Sequence, residues 1–156
     1  MPMRGLWCRA GWPAWALAAA SLLAPGVQAA EGRVAVVVAA QAPATTLSVD
    51  ELAQVFRRRR QFVGGQRVQP INLPASHALR RFFSQAVLQQ APEDMEDYWR
   101  DMYFNGVFPP FVLASEEAVL RFVSATPGAI GYVSACALDK RVTVLLMLEG
   151  GPACSR

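Results

Sequence analysis

Thr126-Pro127-Gly128-Ala129-Ile130-Gly131-Tyr132-Val133 is the stretch that most restricts the fold, because a helix has to stop and a buried strand has to start within it. Proline presets φ and glycine tolerates positive φ, so Pro127-Gly128 reads as the centre of a type II turn. Upstream, Ser115 caps a helix that carries Val119, Leu120, Phe122 and Val123 at helical spacing and ends near Ala125. Downstream, Ala129, Ile130, Tyr132 and Val133 form a short apolar strand in which Gly131 leaves space for a backbone or a ligand to approach.

A second junction runs in the opposite sense, from strand into helix. Val68 to Leu73 reads as a strand and Pro74-Ala75 as a short loop. Ser76 is the expected N-cap of a helix with Leu79, Phe82, Phe83, Ala86 and Val87 on its apolar face. Free N–H groups and the helix dipole favour an anion at such a junction. The candidate oxyanion ligands are therefore the Ser76 hydroxyl, the N–H groups of His77, Ala78 and Leu79, and the Arg80 guanidinium one turn in. Blander roles stand beside these: Ser76 as a cap alone, Arg80 as a surface charge, and His77 as an exposed loop imidazole.

With both junctions in view, the octapeptide resembles the signature of periplasmic phosphate-binding proteins, the substrate-binding proteins of phosphate ABC transporters. The resemblance runs from about Arg33 to about Leu148. In that family the strand-to-helix junction is a Ser-Gly-Thr turn; here Ser76 matches, while His77 and Ala78 replace the glycine and threonine. Complete members have two lobes, and this chain resembles one. The resemblance implies an α/β three-layer sandwich, one lobe of the type II periplasmic binding-protein fold, with a mixed, mostly parallel sheet. It also implies a non-enzymatic binding module for phosphate or a similar oxyanion, accessory to a membrane transporter or sensor. The alternative is a periplasmic protein-interaction module that has lost tight ligand binding.

Residues 1–29 read as an export signal: Arg4 and Arg9 at the start, an apolar core from Trp15 to Leu23, and Val27-Gln28-Ala29 as a cleavage site. A membrane span is the competing reading, but Pro25 and Gly26 cut the apolar run short of the ~20 residues a span needs. The expected division is thus a signal peptide over 1–29, a domain over 30–150 and a flexible tail over 151–156, in a soluble periplasmic protein. Loss of the signal lowers the 15 Lys and Arg by two, to 13, against 12 Asp and Glu. A balance so close to neutral does not make the broad basic face of a nucleic-acid binder.

The Val34–Ala39 run is apolar and β-branched, as in a strand buried on both faces. Ser48-Val49-Asp50-Glu51 is a capping box, and Leu52, Val55 and Phe56 stripe the helix it opens. That strand, that helix and the strand ending at Leu73 predict a parallel crossover unit. Arg57–Arg60 reads as a solvated helix end or as a polybasic patch. Pro92 opens a further helix whose expected buried face is Tyr98, Trp99, Met102 and Tyr103. Those aromatic side chains could instead line a pocket.

Its acidic cluster, Glu93, Asp94, Glu96, Asp97 and Asp101, lacks the alternating ligands and bend glycine of a calcium loop, and a solvated helix face explains it. One histidine and scattered cysteines make neither a zinc site nor a nucleophile–base pair, so no catalytic residue, metal or cofactor is expected. Cys136 and Cys154 flank the last strand, Val142 to Leu148. Either they are bridged, as an oxidising compartment permits, or they are two free thiols with Cys154 in a frayed tail.

Overall fold

The computed structural model describes residues 32–43 and 45–154. The expected signal segment, with its cleavage site, lies outside the described residues. Among those described, no helix is long and apolar enough to cross a membrane.

Strand β1, Gly32–Ala39, is the β-branched run anticipated, and Val34 to Val37 are fully buried. It leads to helix α1, Val49–Phe56, opened by the capping box: the Glu51 N–H donates to Ser48 Oγ while the Ser48 N–H donates to the Glu51 carboxylate. The Gly64-Gly65 turn, with φ of 56° and 79°, joins β2 (Phe62–Val63) to β3 (Gln66–Arg67) in a small hairpin. Positive φ at both central residues is what a tight hairpin turn demands.

Strand β4, Gln69–Asn72, then feeds helix α2, Ala78–Phe83, which continues through a π-helical turn at Ser84–Leu88. A 3₁₀ turn, Glu93–Met95, precedes α3, Glu96–Phe104, and β5 is Phe111–Val112. Helix α4, Glu116–Ala125, is capped by Ser115 as expected and runs through the Pro-Gly turn into β6, Ala129–Ser134. The last strand is β7, Val142–Gly151.

The main sheet is mixed, in the order β5-β4-β6-β1-β7. β4 pairs in parallel with β5 and β6, whereas β1 pairs antiparallel with β6 and β7. This corrects the expected β1–α1–β4 crossover: β6 lies between the two strands, and β1 runs opposite to β4. A strand buried on both faces needs two neighbours, and nothing in its own residues says which strands they are. Helices cover both faces. Phe56 of α1 and Phe83 of α2 pack on Tyr132, while Val119 and Val123 of α4 reach Gly131 on the other side of the same strand.

Two further expectations change. Tyr98, Trp99, Met102 and Tyr103 are not a fully buried face: Tyr98 and Trp99 are half-buried against the core, Met102 is half-buried and Tyr103 exposed, while Met95, just before the helix, is buried. Gly151, expected to begin a flexible tail, is the final residue of β7. Cys136 and Cys154 form a disulfide with Cα atoms 6.1 Å apart, tying the segment after β7 to the 3₁₀ turn after β6.

Candidate functional site

The strand-to-helix junction after β4 is tighter than its sequence suggested. The His77 N–H donates to the Pro74 carbonyl at 2.9 Å, so Pro74–His77 is a β-turn and Ser76 lies inside it, exposed. His77, not Ser76, is the N-cap of α2: its Nδ1 accepts from the Leu79 N–H at 3.2 Å. An imidazole that accepts through Nδ1 is the Nε2–H tautomer when neutral, and that N–H remains a donor. Of the three N–H groups at 77–79, those of His77 and Leu79 are thus occupied within the chain, and Ala78 keeps the open one. Ser76 is the favoured cap by residue type, but the turn closed by the His77 N–H on the Pro74 carbonyl holds Ser76 and the helix starts one residue later.

Arg80 is the larger correction. It is not a surface charge but only 8% exposed, and neither its Nε nor its Nη1 has a hydrogen-bond partner. Ser84, one helical turn further on the same face, is fully buried with its hydroxyl also unpartnered. Beside Arg80 stands the Tyr132 hydroxyl, which accepts from the Leu73 N–H at 3.2 Å and donates to Asn72 Oδ1 at 3.4 Å. The Tyr132 ring stacks on Phe83, with centroids 4.0 Å apart and planes 5° apart, and Phe56 leans on Phe83 at 4.6 Å. Burial raises the Tyr132 pKa, and the nearby Arg80 charge opposes that shift.

In the sequence Tyr132 belongs to an apolar strand, and Ser84 carries no marked role. A signal for Tyr132 was available, because a tyrosine in a fully buried strand must take its hydroxyl to a polar partner. Ser84 had no such signal, since the π-helical turn that buries it is not written in hydrophobic spacing.

The other singled-out residues serve the scaffold. Gly128, at φ 79°, sits in the turn closed by the Ala129 N–H on the Thr126 carbonyl at 3.1 Å, with Pro127 leading it. A Cβ on Gly128 would stand 2.1 Å from the Arg67 carbonyl oxygen. The space at Gly131 is filled by α4 rather than by a ligand, as a Cβ there would meet Val119 Cγ1 at 2.6 Å.

Nor is Arg57–Arg60 a uniform solvated run. Arg57 donates to the Leu88 carbonyl at 2.8 Å, Arg58 has φ 60° and a buried Nε, Arg59 lies over the Tyr98 ring, and Arg60 pairs with Glu51 at 2.6 Å. Among the described residues, no group of three His, Cys, Asp or Glu side chains is placed to hold a metal ion.

No protein-family model and no curated protein matches the sequence. Solved structures do share the fold. An ABC-type phosphate transport receptor from Vibrio cholerae is 17% identical, with a TM-score of 0.57 over 74% of this chain and 46% of its own. PstS from Borrelia burgdorferi is 19% identical, with a TM-score of 0.57 over 74% of this chain and 47% of its own. A protein described as a phosphate ABC transporter substrate-binding protein, with phosphate bound, from Clostridium perfringens reaches a TM-score of 0.60 at 12% identity. The similarity is one of α/β fold, and the chain spans less than half the length of these structures.

Proposed function

We propose that this chain is an exported binding module for phosphate or a similar oxyanion, seated on Arg80. The observation that carries the reading is a guanidinium more than nine-tenths buried with two of its nitrogens unpartnered. A buried cation without a counter-charge is strongly unfavourable, and an oxyanion would supply both the charge and the missing acceptors. The His77 Nε2–H, the Ala78 N–H and the Ser76 hydroxyl, all within the four residues before Arg80, are the further donors this reading assigns to the anion. The likeness of fold to phosphate-binding structures supports the ligand class, and the expected export signal supports a periplasmic place beside a transporter or sensor. The second reading, a protein-interaction module, is favoured by the exposed aromatic side chains between Tyr103 and Phe111.

Calorimetry against phosphate and sulfate at low salt tests the binding reading. Micromolar to millimolar affinity is expected, because an anion on a single lobe keeps part of its water and the exposed contacts, at Ser76 and Ala78, contribute only ~1 kcal/mol each. Arg80→Met should remove the binding and leave the fold as stable or more so, since an apolar side chain replaces an uncompensated buried charge. No heat with either anion, and no NMR shifts at residues 76–84 on adding phosphate, would refute the assignment.

A further inference from the structure

At the end of β4 away from Tyr132 lies a groove of about 580 Å³, lined by Arg58 and Arg67 together with Phe108, Pro109, Phe111 and Pro127. Its charge is unbalanced. Arg60, Arg81, Arg100, Arg121 and Arg141 each pair with a carboxylate, whereas among the described residues neither Arg58 nor Arg67 does. Burial holds the Arg58 guanidinium below its ordinary pKa, and the Arg67 charge in the same groove adds to that shift.

The surface next to the groove is apolar and open. Of the eight large hydrophobic residues exposed among those described, five fall between Tyr103 and Val112. The Tyr103 ring stands 5.4 Å from that of Phe108, so the carboxyl end of α3 borders the groove directly. On α3, Asp97, Asp101 and Phe104 recur at helical spacing and are all exposed, with Phe104 at 80%. Asp97 pairs only with Arg100, itself 64% exposed, and a pair so open to water is readily exchanged.

The aromatic rings at the carboxyl end of α3 thus join the basic groove to a helix that also carries an exposed acidic stripe. A twofold interface needs a surface that is complementary to itself, with both halves of each contact on the same protomer. We propose that this face is where a second copy of the chain docks, the Asp97–Asp101 stripe of each protomer entering the Arg58–Arg67 groove of the other. The phenyl rings pack between the charged contacts. Strand addition is not part of the interface, since Pro109 and Pro110 blunt β5 and leave it two residues long. The inference is independent of the Arg80 site.

Sedimentation velocity on the purified protein, from micromolar to about 100 µM, tests it at ~50 mM and ~0.5 M salt. A concentration-dependent dimer that weakens at least about tenfold at the higher salt is expected. Arg58→Glu with Arg67→Glu should give a monomer, and so should Asp97→Lys with Asp101→Lys. Mixing the two charge-reversed proteins should restore a dimer, because the heterodimer regains both contacts. Phe104→Ser, at a residue with no core role, should weaken the dimer even if a charge variant folds poorly. A protein monomeric throughout would overturn the proposal, as would a dimer indifferent to the reversals. So would a monomer that takes up polyglutamate through Arg58 and Arg67, which would mark the groove as a site for an acidic partner instead.

Discussion

Tyr132 concentrates three demands in one side chain: a ring stacked on Phe83, a hydroxyl that accepts from Leu73 and donates to Asn72, and a place beside the Arg80 charge. Burial raises its pKa above the ordinary value of 10.0. A raised pKa means that the folded state holds the phenolic proton more tightly than the unfolded chain. The stability tied to that proton is therefore complete below about pH 10 and falls as pH rises toward the folded value. Denaturant unfolding between pH 8 and 11.5 should show this decline, and Tyr132→Phe should flatten it. An equal decline in the variant would assign the effect to other groups. At this scale the sequence is informative about residue type and silent about partners. Arg80 and Ser76 are chemically fit for an anion, yet only the fold shows that Arg80 is buried with unsatisfied nitrogens while Ser76 stays in water.

Elements whose ends are fixed by local chemistry were legible. The capping box of α1, the Ser115 cap of α4 and the Pro127-Gly128 stop all appear where residue type placed them. Elements defined by distant partners were not legible: the sheet neighbours of β1, the strand order that puts β6 between β1 and β4, and the shallow seating of α3, whose Tyr98 and Trp99 are only half-buried against the core. The Pro-Gly turn is also where a local requirement becomes a tertiary one. Gly128 supplies the positive φ and admits the Arg67 carbonyl, and its own carbonyl accepts from the Gln69 N–H at 2.8 Å, which starts the β4–β6 pairing. Gly128→Ala should therefore cost more than the strained φ alone, roughly 2–4 kcal/mol in chemical denaturation. A loss below about 1 kcal/mol would mean that the turn relaxes without disturbing β4.

Across the whole molecule, the first and last described strands meet. Gly32 pairs with Gly151, and a Cβ on Gly32 would lie 1.9 Å from the Pro152 carbonyl oxygen, so the chain can close here only over a glycine. β7 is an edge strand, paired with β1 on one side only, and it has fewer buried side chains than β6 or β1. The Cys136–Cys154 disulfide compensates by joining the end of β7 to the turn that follows β6, across a sequence separation of 18. Closing a loop of that length restricts the unfolded chain by about 3 kcal/mol on the chain-entropy estimate. Reduction, or Cys136→Ser with Cys154→Ser, should lower stability by about that amount and Tm by something on the order of 10 °C. Because the bridge acts at the edge, amide exchange should quicken first in β7, while Val34–Val37 stay protected until global unfolding. Uniform acceleration through β1 and β6 would show that the edge strand unfolds with the core and that the bridge holds the domain as a single cooperative unit.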